Sequence, residues 1–268
     1  MIKHLLPTQI KSFIKSNIFE FYKNKSYGYY DSTSFSIIST PPRLNITIDI
    51  VGPSGIGKSY FINKLIENKI ITPAKIPFRI SDQEITIDEH NDYCHFKLLQ
   101  NRVNADGDKT SLYSEPNLKK IRYKLEWLIR DIYLRKLNKP FIIDEGITHH
   151  FTGAIIQLNE SNPLVIKEIL KNKAIINLTS NPKTINKRIR KRIQERGKIQ
   201  WRHKNLNEQE LIDLNLRVMN SKKKLCSIAS QHNCPNININ LDDDIQQNLD
   251  LVKSFINNLQ PQLLAPNK

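Results

Sequence analysis

The sequence predicts an α/β fold in three layers, a mostly parallel sheet with helices on both faces. Two observations carry this. Short apolar segments rich in β-branched residues recur near 44–51, 141–143, 174–178 and 237–241. Between them lie longer segments whose apolar residues repeat at helical spacing. Apolar strands bounded by polar turns and separated by helices are what a parallel sheet covered on both faces requires.

The elements follow in order. Ile10, Phe13, Ile14, Ile18, Phe19, Phe21 and Tyr22 among lysines predict an amphipathic helix over 8–24, and the polar stretch closed by Pro41-Pro42 reads as a linker. Leu44, Ile46, Ile48, Ile50 and Val51 predict a strand ending at Gly52. Phe61, Ile62, Leu65 and Ile66 share one face of a helix over 59–69, and a short strand is expected at 76–80. The segment 81–116 is polar and carries no firm assignment, with 104–111 loop-like. Leu118, Ile121, Leu125, Leu128, Ile129, Ile132 and Leu134 give a helix over 117–137 that Pro140 stops before the strand Phe141–Ile143. A helix at 162–171, a strand at 174–178, a basic helix from Pro182 to about Arg196, a helix at 207–230, a strand at 237–241 and a helix at 243–259 complete the reading. The expected organisation is an N-terminal extension over 1–43, one domain over 44–260 and a tail over 261–268.

Composition narrows the function classes. With 268 residues and 39% hydrophobic content, the chain can bury a substantial core and is not disordered over its whole length. Forty-one Lys and Arg against 26 Asp and Glu favour anionic partners: phosphorylated small molecules, nucleic acid or an acidic membrane surface. Three cysteines cannot form a disulfide framework, and the odd count suits a reducing compartment. Cys226, His232 and Cys234 lack a neighbouring fourth ligand and make a poor zinc pattern. No apolar run reaches the length of a membrane span, and the first residues do not read as a secretory signal, so the expected location is cytoplasmic. A basic membrane anchor over 8–24 is disfavoured, because stable anchoring usually takes two signals.

The strongest signal is Gly52-Pro53-Ser54-Gly55-Ile56-Gly57-Lys58-Ser59, which satisfies G-x-x-x-x-G-K-[ST] between an expected strand and an expected helix. Glycines let the backbone curl so that successive N–H groups face an anion, and the helix adds its free N–H groups and positive end. In that role Lys58 reaches the β- and γ-phosphates and the Ser59 hydroxyl ligates Mg²⁺. The implied ligands are ATP and Mg²⁺.

A phosphate loop needs a carboxylate for Mg²⁺, usually at the end of a neighbouring strand. Phe141-Ile142-Ile143-Asp144 supplies it, with Asp144 as the Mg²⁺ candidate. Glu145 polarises water in an ATPase; in a kinase, Asp144 or Glu145 takes the proton of an acceptor hydroxyl. His149 and His150 follow, but adjacent histidines are commoner as surface or core residues than as catalysts, and they stay outside the catalytic set. Asp49 is unusual, a carboxylate inside the first strand whose burial requires a partner.

Residues 183–204 hold ten Lys or Arg and one Glu. Arg188, Arg192 and Arg196 recur every fourth residue and share one helical face, where an anion relieves their mutual repulsion. The segment reads as a solvated face, as a nucleic-acid patch with Trp201 for stacking, or as a lid that brings arginines onto a transferring phosphoryl group. Its position after the strand at 174–178 favours the lid.

With GPSGIGKS at 52–59, FIIDEG at 141–146 and IINLTSNPKTINKRIRKRIQERGK at 175–198, the chain resembles the P-loop small-molecule kinases, the nucleotide and nucleoside kinase-like group of the P-loop NTPases. Arg192 and Arg196-Gly197 match the family's R-x-x-x-R-G helix that leads into the lid. The resemblance covers about Leu44 to Leu259. It implies transfer of a phosphoryl group from MgATP to a small acceptor, with Gly52 to Ser59 and Arg188 binding nucleotide, Ser59 and Asp144 at Mg²⁺, and Lys58, Asp144, Glu145, Arg192 and Arg196 catalytic. The Asp-Arg pair that many nucleoside and thymidylate kinases carry is here Asp144-Glu145. The acceptor therefore stays open among nucleotide, nucleoside, sugar and other hydroxyl compounds. The alternatives are an ATPase that spends hydrolysis on conformational work, with nucleic acid as one substrate, and a non-catalytic nucleotide sensor.

Overall fold

A computed structural model describes residues 35–38, 46–73, 93–107, 115–136, 140–196, 203 and 206–262. Along the chain these form β1 (Phe35–Ile38), β2 (Thr47–Val51), α1 (Lys58–Glu67), β3 (Ile71–Pro73), α2 (Tyr93–Gly107), α3 (Glu115–Lys136) and β4 (Phe141–Asp144). There follow α4 (Ile147–His150), α5 (Thr152–Ser161), α6 (Pro163–Leu170), β5 (Lys173–Thr179), α7 (Pro182–Arg196), α8 (Glu208–Gln231), β6 (Asn236–Asn240) and α9 (Ile245–Gln262).

The six strands form one sheet in the order β3-β1-β4-β2-β5-β6. β4, β2, β5 and β6 run parallel, while β1 is antiparallel to both β4 and β3. β2, β4 and β5 bury apolar residues on both faces. Ile48, Ile50, Ile142, Ala174, Ile176 and Leu178 point into one core, closed by Phe61 and Leu65 of α1, Ile185 and Ile189 of α7, and Val252 and Ile256 of α9. Val51, Phe141, Ile143 and Ile175 point into the other, against residues of α2, α3, α5, α6 and α8. Period-two alternation along each strand thus serves two cores, and the three-layer α/β expectation holds. Among the described residues, no helix is long and apolar enough to cross a membrane.

Local signals explain several boundaries. Pro163 occupies the first turn of α6, where its missing N–H is not needed. Asn207 caps α8 by accepting from the Glu210 N–H while the Glu210 side chain accepts from the Asn207 N–H, a capping box.

Four differences from the sequence reading stand out. The strand β1 lies at 35–38, so the sheet reaches back across the expected boundary near Leu44. α2 runs to Gly107, so 104–107 end a helix where a loop was expected. The segment 147–161, which carried no assignment, folds into α4 and α5. β3 at Ile71–Pro73 is a strand of three residues, too short for alternation to announce. The expected helix over 8–24, the linker at Pro41-Pro42, the strand at 76–80 and the tail beyond 262 lie outside the described residues.

Candidate active site

The loop Gly52–Ser59 joins β2 to α1, the strand–loop–helix context its sequence requires. Gly55 and Gly57 adopt φ of 82° and 116°, a region that side-chain-bearing residues rarely enter. Ile56, fully buried between them, pins the loop to the core. α1 starts at Lys58 with no side-chain cap, so its first N–H groups lie at the loop mouth. Ser59 stands exposed on this first turn.

Lys58 is buried except for its reach across the loop. Its Nζ donates to the carbonyls of Gly52 at 3.2 Å and Pro53 at 3.3 Å, and pairs with Glu145 Oε1 at 2.8 Å. The register Ile50↔Asp144 sets the ends of β2 and β4 side by side, which brings the acid turn to the Gly52–Ser59 loop. Sequence-distant Lys58, Asp144 and Glu145 thereby share one site.

The two acids sit in different surroundings. Asp144 is largely buried, and its Oδ1 has no hydrogen-bond partner. Burial raises its carboxyl to about 6; Lys58 opposes the rise and Glu145 adds to it. Glu145 is half-exposed and takes φ of 60°, a left-handed conformation rare for a residue with a side chain. Its N–H donates to the Ile50 carbonyl at 3.2 Å, which holds this turn against β2. Such strain is kept where the surroundings over-determine the backbone, as they do here.

Asp49 explains the turn's sequence. Its carboxylate, fully buried, accepts from the Thr148 N–H at 2.9 Å and the Thr148 hydroxyl at 2.8 Å. It thus fastens the first turn of α4 to β2. Gly146 follows from the same packing: a Cβ there would lie 2.6 Å from Asp49 Oδ2 and nearer still to the rest of the carboxylate. The other face of Asp49 meets Lys173 Nζ at 3.5 Å, which lies 2.5 Å from Asp131 Oδ1. Asp131 also pairs with Arg135 Nε at 2.9 Å and His95 Nε2 at 3.0 Å. Burial works against the Asp131 charge, but Lys173, Arg135 and His95 hold its carboxyl well below the ordinary range. Burial lowers the His95 imidazole, against the hydrogen bond to Asp131 that raises it. The network therefore joins β2 and β5 to α2 and α3 with its charges balanced.

Arg188 and Arg192 reach the loop from α7. Arg188 donates to the Ile56 carbonyl at 2.5 Å. A Cβ on Gly55 would approach Arg192 to 3.3 Å, and one on Gly57 would approach Arg188 to 3.6 Å. α7 is docked by buried Ile185 and Ile189, so both arginines come from a packed layer helix. The Arg196 side chain, Trp201, and the remainder of the segment expected to form a lid at 197–202 lie outside the described residues.

Aromatic and cationic side chains flank the acid turn. His149 Nε2 lies 3.7 Å from Glu145 Oε1. The ring of His150 stacks on Trp127 at 4.3 Å between centroids and meets Tyr123 edge-on at 5.3 Å. Burial lowers both imidazoles, His150 to about 2, with neighbouring lysines pushing the same way. Lys124 donates to the His150 carbonyl at 2.6 Å, and Lys222 donates to the His149 carbonyl at 2.9 Å.

Sequence reasoning missed Thr148, Thr152, Lys124, Lys222 and the Lys173–Asp131 pair. One signal was present: Leu211, Asn215, Lys222, Leu225, Cys226 and Ala229 recur at helical spacing, which sets Lys222 on the buried face of α8. His149 lies beside Glu145, while His150 packs on Trp127 and Tyr123 of α3.

No protein-family model and no curated protein matches the sequence. Among solved structures, the chain is similar to deoxyadenosine kinase from M. mycoides with bound dATP, at 15% identity over 79% of this chain and 100% of that one, TM-score 0.41. The same enzyme with bound dCTP gives 14% identity over 80% and 100%, TM-score 0.37. A protein from Eubacterium ventriosum gives 14% identity over 80% and 99%, TM-score 0.32. Likenesses this low carry no weight for activity, which has to be read from the chain's own side chains.

Proposed function

We propose that the protein transfers the γ-phosphoryl group of ATP to a hydroxyl group of a small acceptor. One observation carries this reading: the phosphate-loop lysine is paired at 2.8 Å with Glu145, a half-exposed carboxylate on the turn that leads from the loop toward an aromatic, histidine-lined flank. A phosphate-binding lysine and a proton acceptor are thus neighbours, as in-line phosphoryl transfer to a hydroxyl needs.

Each residue has a role in this scheme. The loop N–H groups and Lys58 bind the β- and γ-phosphates. Arg188 and Arg192 add donors that stabilise charge on the equatorial oxygens as the transition state forms. Glu145 accepts the acceptor's hydroxyl proton while the new O–P bond forms, the bond from the γ-phosphorus to the bridging oxygen breaks, and its electron pair leaves with ADP. The buried Asp144 Oδ1, without a hydrogen-bond partner, has the donor character of a hard-cation ligand. Asp144 and Ser59 would hold Mg²⁺, which supplies charge neutralisation at the β- and γ-phosphate oxygens when bound.

The test is incubation with γ-labelled ATP, Mg²⁺ and a pooled metabolite extract, with Lys58→Ala as the control. The expected result is label in a new small molecule with the wild type and none with the variant. Label confined to free phosphate and rising with DNA or RNA would overturn the reading in favour of an ATPase, and unhydrolysed ATP retained stoichiometrically would favour a nucleotide sensor.

A further inference from the structure

We propose that Lys222 is a positioning residue of the acid turn: from α8 it clamps the α4–α5 corner through the His149 carbonyl and the Thr152 hydroxyl, and so holds Glu145 opposite Lys58. The role assigned to Glu145 rests on the phosphoryl-transfer reading; the clamp itself does not.

The geometry begins with a shortage of hydrogen bonds. α4 is a single turn, so its carbonyls find few partners within the helix. Two lysines from other elements fill the gap. Lys222 Nζ donates to the His149 carbonyl at 2.9 Å and to Thr152 Oγ1 at 2.5 Å, while Lys124 serves the His150 carbonyl. Thr152 Oγ1 in turn lies 2.7 Å from the Thr148 carbonyl and 3.1 Å from that of His149. At the other end, Thr148 is bound to Asp49. A continuous line of hydrogen bonds therefore runs from β2 through α4 and α5 to α8. Glu145 immediately precedes this doubly anchored turn and keeps a left-handed backbone, a conformation that a loose turn would not maintain.

Burial argues that the clamp serves more than stability. Lys222 is 4% exposed and shares the buried face of α8 with Leu225, Cys226 and Ala229. An aliphatic residue would pack there without the desolvation of an amine. Desolvation lowers this lysine to about 7; Lys58 on α1 and Lys124 on α3 push the same way, while Glu145 on the turn and Cys226 on α8 oppose. A group kept against that penalty, with its donors aimed at the backbone next to the acid, fits a positioning role.

The test compares the wild type with Lys222→Met, Lys222→Gln, Thr152→Val and Thr152→Ser, and uses the exposed Lys223→Met as control. Amide hydrogen exchange over 147–152 reads the clamp without reference to activity. The expected result for Lys222→Met is exchange about tenfold or more faster over 147–152 with β2 and β5 unchanged, in a protein that still melts cooperatively. Labelled-ATP transfer should then show kcat lowered roughly 10- to 100-fold with KM for ATP within about twofold, the pattern of a misplaced catalytic group. Thr152→Val should move both readouts the same way, Thr152→Ser and Lys222→Gln should restore most of each, and Lys223→Met should change neither.

Unchanged exchange over 147–152 in Lys222→Met overturns the proposal, as does full kcat per folded molecule. If Lys222→Met does not fold, normal exchange over 147–152 in Thr152→Val overturns it. Absence of label transfer by the wild type would remove the phosphoryl-transfer reading, while the exchange result would still decide the clamp.

Discussion

Gly146→Ala is a small change with a large expected effect. The backbone there has φ −63° and ψ −168°, which alanine adopts without strain. By backbone entropy alone, alanine would stabilise by about 0.4–1 kcal/mol. The new methyl group, however, lands 2.6 Å from Asp49 Oδ2, where carbon contacts prefer about 3.5 Å or more. Asp49 has nowhere to retreat: it is 0% exposed, with Thr148 on one oxygen and Lys173 facing the other. Displacing it by about 1 Å would break one or both bonds from Thr148, each worth about 1.5–3 kcal/mol because the acceptor is charged. After the backbone gain, the net loss is about 1–5 kcal/mol, a large part of a typical total of about 5–15 kcal/mol. Urea unfolding followed by circular dichroism would measure it as a lower midpoint with the slope kept. The cause is isolated by a double-mutant cycle with Asp49→Ala, which makes room for the methyl group. In that background Gly146→Ala should cost less than about 0.5 kcal/mol. An equal cost in both backgrounds, or a loss below about 1 kcal/mol in the wild-type background, would refute the steric reasoning.

Three further outcomes are expected. Glu145→Gln should lower phosphoryl transfer about 100-fold or more while nucleotide binding, followed by calorimetry, persists, because it removes the proton acceptor and leaves the loop intact. Asp144, raised to about 6 in the folded chain from an ordinary 3.8, binds its proton more tightly folded than unfolded, so its contribution to stability falls as pH rises from about 4 to 6. With ADP present, apparent Mg²⁺ affinity read by thermal shift should drop about tenfold per pH unit below about 6, and Asp144→Asn should abolish the dependence. Lys222 has the opposite history: lowered to about 7 from 10.5, its penalty is complete below pH 7 and is relieved as pH rises toward the unfolded value. Lys222→Met should therefore melt higher than the wild type at pH 6, and the gap should shrink by pH 9; a constant gap would mean that the lysine binds its proton equally in the folded and unfolded chain, so that burial does not lower it.

The local rules of the chain wrote much of this fold into its sequence. β2, β4 and β5 are legible because a strand buried on both faces is largely apolar, as Ile48 and Ile50 show, whereas β6 shows as the alternation of Asn and Ile over Asn236–Asn240. The Gly52–Ser59 loop is legible because a tightly curled backbone needs glycine where φ is positive, as at Gly55 and Gly57. Asp49 announced itself as anomalous without naming its partners, since a buried charge needs a counterpart at no fixed distance along the chain.

What the sequence by itself determined, then, is the layered α/β class, the glycine-rich loop Gly52–Ser59 between a strand and a helix, and the acid at the end of a neighbouring strand, all of which follow from periodicity and short-range backbone sterics. Only the tertiary structure decided that Glu145 faces Lys58, that Thr148, 99 residues from Asp49, anchors it, and that Lys222 reaches Thr152 across 70 residues. Those pairings arise when parallel strands set distant segments in register and helices cross over them. Hydrogen bonds and charges then match by proximity in space, and proximity in space leaves no fixed spacing in sequence to read.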